Sequence, residues 1–227
     1  MQTNFPQKLI KGKGKKRKAV SNGRYYLFYL LRNSILFLKI YIHRLYSTYG
    51  VLFQMKILFL DRDGVINLET NYLHKVNEFV FIEGVFESLK YIQNLGFKLI
   101  IVSNQSGIGR GMYEYKDFEI LNNWMIKTFE TFGVEILDVF ICPHSPSENC
   151  SCRKPKDGLF REAFKKYTIE KESSWMIGDS ERDITAARKA GIKNTILVRS
   201  GHKIEEDRTN ATYVIDSIAS IQNVIKK

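Results

Sequence analysis

The chain has 227 residues, 44% hydrophobic and 26% charged, with only four prolines; that composition fills one large core and excludes a disordered or low-complexity polypeptide. The formal charge of +11 is not spread over the whole: residues 1–54 hold eleven of the 35 Lys and Arg and none of the 24 Asp and Glu, so residues 55–227 hold 24 of each sign. The basic excess describes an appendage and gives no reason to expect nucleic-acid binding by residues 55–227.

That appendage has two parts. Residues 11–18 are a solvated basic run, and residues 25–41 are aromatic and aliphatic but broken by Arg32, Asn33 and Lys39. No run of about 20 apolar residues exists there, so no transmembrane span is expected, and a basic interfacial helix is the reading that fits. The apolar stretch starts late and lacks a small-residue cleavage site, so it does not read as a secretory signal. Residues 8–44 therefore support a competing hypothesis, a membrane-surface or nucleic-acid-binding protein. A second domain is expected from residue 55, and Met55 can serve as a translation start of its own; mass spectrometry of the native protein beginning at Met55 would support that start, and an intact 1–54 segment would sink it.

From Met55 onward, short apolar runs at 56–60, 98–102, 137–141, 175–177 and 195–198 read as buried strands. Helical patterns lie between them at 85–94, 115–132, 158–167 and 181–190, and Gly96, Gly133 and Gly191 stand where helix C-caps belong. This alternation predicts an α/β fold, a parallel sheet with helices on both faces and the site beyond the C-terminal strand ends.

Polar clusters follow four of the strands. After the first come Asp61 and Asp63, two carboxylates able to face one crevice, with Gly64 for the turn; one can attack phosphorus while the other handles the leaving group's proton. Such crowded carboxylates call for a cation. After the second come Ser103, Asn104, Gln105, Ser106 and Gly107, a phosphate cradle, with Arg110 in reach. Arg153 and Lys154 stand before Pro155, where a lysine can neutralise phosphate charge. After the fourth come Gly178 and Asp179, an oxygen ligand for magnesium, then Asp183 near the first helical turn, which can support the metal, the loop or Lys154. Taken singly, these clusters read as a solvated turn, a Ser-Asn turn, a surface basic pair and an N-cap.

The three cysteines, Cys142, Cys150 and Cys152, fall within eleven residues together with His144. Three thiolates and an imidazole make a complete tetrahedral zinc set in a reducing compartment, with no open position and therefore a structural role.

In order and spacing, Asp61-x-Asp63-Gly64, Ser103-Asn104, Lys154 and Gly178-Asp179-x-x-x-Asp183 resemble the four motifs of haloacid dehalogenase (HAD)-type phosphatases over residues 56–200. The resemblance implies a HAD-like Rossmannoid three-layer α/β/α fold, with Asp61 as nucleophile, Asp63 as general acid/base, and Ser103 and Lys154 steadying the phosphoryl group. It implies Mg²⁺ held by Asp61, the main-chain carbonyl of Asp63, and Asp179. No long insert separates the motifs, so no large cap domain is expected. With the Cys-Pro-His loop included, the pattern resembles the branch acting on D-glycero-D-manno-heptose 1,7-bisphosphate, which is cytoplasmic and feeds nucleotide-activated heptose into lipopolysaccharide or other surface glycans. That resemblance places substrate contacts at Glu69, Thr70, Asn71, Tyr72, Ser103, Asn104, Gln105, Ser106, Arg153, Lys154 and Ser180, and loops at 69–72, Arg110 and the zinc segment set selectivity. Small cap-less enzymes of this kind are expected to be monomeric. Histidinol-phosphate phosphatase shares the zinc loop and is the rival; Val65, Ile66 and Asn67 favour the heptose branch. Ser103 departs from a more usual threonine but keeps the hydroxyl. The 54-residue extension is foreign to the pattern, and its Arg24-Tyr25-Tyr26 and Arg32-Asn33 resemble the C-terminal end of family-2 glycosyltransferases.

Overall fold

The structure, a computed structural model, describes residues 54–226. The extension, with its expected interfacial helix and its candidate contacts at residues 8–44, falls outside the described residues.

Six parallel strands form one sheet in the order β3-β2-β1-β4-β5-β6. They are β1 (Ile57–Leu60), β2 (Lys98–Asn104), β3 (Ile136–Cys142), β4 (Trp175–Gly178), β5 (Asn194–Val198) and β6 (Tyr213–Ile215). The helices are α1 (Val85–Asn94), a single turn α2 (Ser106–Gly109), α3 (Tyr115–Thr131), α4 (Gly158–Lys166) and α5 (Glu181–Ala190). The chain runs outward from β1 to β3 on one side, then returns to β4 and runs outward to β6 on the other. This reversal opens a crevice beyond the C-terminal ends of β1 and β4.

Central strands are apolar on both faces because helices cover both. In β1 the side chains alternate between two cores. Leu58 and Leu60 pack with Val85, Leu89 and Ile92 of α1 and with Leu121, Met125 and Phe129 of α3. Ile57 and Phe59 pack on the opposite face with Leu159, Phe160 and Ala163 of α4 and with Ala186, Ala187 and Ala190 of α5. The three-layer arrangement follows from this alternation. Among the described residues the crevice end carries loops and 3-10 turns, with no cap domain, and no helix is long and apolar enough to cross a membrane.

All five expected strands and four expected helices form, with ends shifted by a residue or two. Strand β2 runs on through Ser103 and Asn104, so these two begin the cradle from inside the sheet. Strand β6 was not anticipated. It is the three-residue run Tyr213-Val214-Ile215, apolar but short, and Tyr213 at its start is 46% exposed. At the end of α5, Gly191 takes the left-handed conformation that closes the helix.

Phe160 is fully buried, with its ring 4.9 Å from that of Phe59 under β1. Phe160→Ala is expected to destabilise the fold by about 3–5 kcal/mol, read as a lower urea midpoint at unchanged m.

Candidate active site

Asp61 follows β1 directly, its backbone N–H donating to the Ile177 carbonyl of β4 at 3.0 Å. Its Oδ1 accepts from the Arg62 N–H (2.7 Å) and lies 3.0 Å from Lys154 Nζ. Among the described residues no donor reaches Oδ2, which is left for chemistry. Burial pushes the Asp61 carboxyl up to about 7, against the pull of Lys154 and with Asp183 and Asp63 adding to the rise. A carboxylate this unwilling to ionise is one that a divalent cation would relieve.

Lys154 is 2% exposed. Its ammonium meets Asp61 Oδ1, Asp183 Oδ1 (2.6 Å) and the Val102 carbonyl (2.8 Å), a partner for each of its three protons. Burial alone would lower its pKa, but Asp183 and Asp61 more than offset this and hold it raised. Its backbone is clamped by Asn104, whose Oδ1 accepts from Lys154 N (3.0 Å) and whose Nδ2 donates to Lys154 O (3.1 Å). The other oxygen of Asp183 accepts from Ser180 N at 3.1 Å, part of the capping box that starts α5. Both oxygens of Asp183 are thus committed to Lys154 and to the loop.

Asp179 closes the far side. Its Oδ2 accepts from His202 N (2.9 Å) and from His202 Nδ1 (2.6 Å). Burial raises its pKa and Asp61 adds to the rise, while His202 opposes it. Two glycines leave room for this carboxylate: a Cβ on Gly64, which also has φ +77°, or on Gly201 would collide with it. Oxygens of Asp61, Asp179 and Asp183 lie within 4.8 Å of one another, a spacing that suits a hard divalent cation.

Around these groups lies a cavity of about 230 Å³. Asp63, Ser103, Asn104, Gln105, Ser106, Glu69, Asn71, Tyr72, Arg110, Arg153 and Ser180 all line it. Asn71 and Tyr72 have φ of 53° and 54°, a left-handed kink in the loop opposite the sheet. Burial raises the pKa of Glu69, whose carboxylate accepts from Asn71 N at 2.7 Å. Arg110 sits over the Tyr72 ring at 5.8 Å, and Arg153 has a buried guanidinium nitrogen with no partner among the described residues. These are two cations with capacity for a second anionic group. Thr70 is the exception: it is exposed and does not line the cavity.

Sequence reasoning missed Arg62, Tyr113, Arg182 and His202, which also line the cavity. Arg62 was visible between the two motif carboxylates. His202 follows β5, and the rule that strand ends build the site would have pointed to it. Tyr113 lies in no motif.

The four sulfur and nitrogen atoms of Cys142, His144, Cys150 and Cys152 also lie within 4.8 Å of one another. Cys142 Sγ is 3.4 Å from Cys150 Sγ and 3.0 Å from Cys152 Sγ, and His144 Nδ1 is 3.2 Å from Cys152 Sγ. A tetrahedron around zinc with bonds of about 2.3 Å has edges of about 3.8 Å, so the donors converge on an ion-sized point. The cluster sits at the end of β3 and leads straight into Arg153 and Lys154.

Because burial disfavours its charge, Asp61→Asn is expected to leave the melting temperature in chelator no lower than that of the parent. A fall of several degrees would mean the Asp61–Lys154 pair stabilises the metal-free fold.

Comparison with known proteins gives the arrangement a family. Residues 151–221 match the HAD-hydrolase-like family. A D-glycero-alpha-D-manno-heptose-1,7-bisphosphate 7-phosphatase from Photorhabdus laumondii is 44% identical over 165 residues, covering 70% of this chain and 90% of its own. A D-glycero-beta-D-manno-heptose-1,7-bisphosphate 7-phosphatase from Vibrio cholerae is 42% identical over 176 residues, covering 74% and 95%. The crystal structure of D,D-heptose 1,7-bisphosphate phosphatase from B. bronchiseptica, complexed with magnesium and phosphate, superposes with a TM-score of 0.67 at 27% identity, covering 74% of this chain and 97% of its own. The chain belongs to the heptose-1,7-bisphosphate 7-phosphatase family of HAD-like hydrolases.

Proposed function

We propose that the chain hydrolyses the C7 phosphate of D-glycero-D-manno-heptose 1,7-bisphosphate, leaving heptose 1-phosphate for nucleotide-activated heptose and surface-glycan synthesis. The observation that carries the chemistry is the asymmetry of Asp61, with Oδ1 held by Lys154 and Arg62 N and Oδ2 free of donors. Asp61 Oδ2 attacks phosphorus, and the bond from phosphorus to the C7 oxygen breaks as Asp63 supplies that oxygen with a proton. Asp63 then takes a proton from water as water attacks the aspartyl-phosphate, releasing phosphate and restoring Asp61. Ser103 Oγ donates to the phosphoryl oxygens, Lys154 steadies them through its charge while its protons stay on Asp61, Asp183 and Val102, and Arg110 and Arg153 receive the phosphate at C1.

Magnesium, present in the B. bronchiseptica relative, would be held by Asp61, the Asp63 main-chain carbonyl and Asp179, and would supply neutralising charge to phosphate and carboxylates. Zinc would be held by Cys142, His144, Cys150 and Cys152, shaping the segment that delivers Arg153 and Lys154. The enzyme is a cytoplasmic monomer in this reading, and residues 1–54 are a separate appendage. The histidinol-phosphate alternative draws no support from the relatives described.

The test is phosphate release by the intact chain with Mg²⁺, comparing both anomers of the heptose bisphosphate with histidinol phosphate. Strong preference for one bisphosphate is expected and identifies the anomer, on which relatives of both kinds divide. Preference for histidinol phosphate would overturn the substrate. For the second metal, one zinc per chain is expected by elemental analysis, falling to well below half in Cys142→Ser; a zinc-free, fully active protein would refute the assignment.

A further inference from the structure

Asp63, assigned above as the general acid/base, does not present its two oxygens alike. Oδ1 accepts three donors: Arg62 Nε at 3.2 Å, Arg62 NH2 at 2.9 Å and Asn67 Nδ2 at 3.0 Å. Oδ2 accepts one, Gln105 Nε2 at 3.1 Å. Three donors, two of them from a guanidinium, hold negative charge on Oδ1, so a proton on this carboxyl resides on Oδ2.

The Gln105 amide is 3% exposed and fully used. Nε2 donates both to Asp63 Oδ2 and to Ser103 Oγ (2.8 Å), while Oε1 accepts from the Tyr113 hydroxyl at 2.7 Å. An amide can be flipped, and a flipped Gln105 would offer Asp63 an acceptor that could sequester the acid's proton inside the network. Tyr113 opposes this: its hydroxyl donates to Oε1 at 2.7 Å, a bond that the flipped amide would give up, and burial, which pushes the phenol up to about 12, keeps that proton in place. Its ring is fixed on both sides, by His74 stacked at 4.9 Å and 8° and by Gly107, where any Cβ would strike the ring. The same loop is tied to Arg62, whose NH2 donates to the Leu73 carbonyl at 3.0 Å.

We infer that Gln105 and Tyr113 are positioning residues for the acid/base: Tyr113 sets the Gln105 amide so that only N–H groups face Asp63, and the proton on Asp63 Oδ2 is left pointing into the cavity toward the leaving oxygen. The inference rests on the phosphatase reading above. In the first step the pair of electrons of the breaking P–O bond stays on the leaving oxygen, which takes the Oδ2 proton; in the second, water returns a proton to Oδ2. Neither Gln105 nor Tyr113 gains or loses an atom. A role in proton delivery differs from a packing role in one measurable way: it matters only for leaving groups that need a proton.

The experiment measures kcat/KM, which reports steps through the first phosphoryl transfer, for the magnesium-loaded intact chain. The esters run from p-nitrophenyl phosphate, whose phenolate departs unprotonated, to alkyl phosphates including the heptose bisphosphate. Asp63→Asn serves as the reference for a lost acid. Tyr113→Phe keeps the ring, its stacking and the fold, and is expected to lower kcat/KM for alkyl esters about tenfold, part of the roughly 10²–10⁴-fold available to general acid catalysis, with a loss below about threefold for p-nitrophenyl phosphate. Gln105→Leu is expected to steepen the dependence on leaving group further, toward that of Asp63→Asn. Equal losses on every ester, or no loss on any, would overturn the inference. A parent enzyme that turns over no ester would instead overturn the phosphatase reading beneath it.

Discussion

The site depends on one buried ammonium. Lys154 Nζ ties Asp61 at the end of β1, a carbonyl within β2 and the carboxylate that caps α5. Three elements from both sides of the chain reversal thus converge on a single charge. Desolvating a lysine is expensive, and it is tolerable here because two carboxylates and a carbonyl use all its protons. Remove the lysine and the same carboxylates are left buried and facing each other. The geometry of the crevice and the protonation of Asp61 are therefore set by one ion pair, and Asn104 clamps the backbone that delivers it.

Around that centre the fold gives up stability for function. The pKa values of Asp61 and Asp179 are raised first by burial and then by their acidic neighbours. Close packing makes the crowding possible: Gly64 and Gly201 bring backbone against Asp179 where any side chain would collide. Uncompensated carboxylates in a crevice are unfavourable in an empty protein and useful when charge arrives. The apolar layers on both faces of β1 are what hold such a site in place.

The cysteine-histidine loop works on the same centre from the other side. Cys142 ends β3, one strand beyond β2, and Cys152 is followed immediately by Arg153 and Lys154. Fixing the four donors to a common point fixes the start of the segment that carries both cations. The next helix is held close as well, since a Cβ on Gly158 would strike the backbone of Ser151 and Cys152. One stretch of chain thus carries both the four converging donors and the two cations that line the cavity.

Much of this was legible along the chain. Strand and helix periods, caps and the order of the four polar clusters are local patterns, so 56–60 through 195–198 could be read as strands and Asp61, Asp63, Lys154 and Asp179 could be singled out by spacing. The cysteine-histidine cluster was legible for the same reason, its donors lying within eleven residues. Tertiary structure decided what spacing does not encode. Lys154 reaches a carbonyl 52 residues away and His202 reaches Asp179 across 23. Tyr113 is close to Gln105 in sequence, yet only the folded loop aims its hydroxyl at the amide. Thr70 sits among cavity residues in sequence but does not line the cavity. Which oxygen of each carboxylate is occupied, and which is free to react, depends on donors brought together by sheet register and loop packing, and that is a property of three dimensions alone.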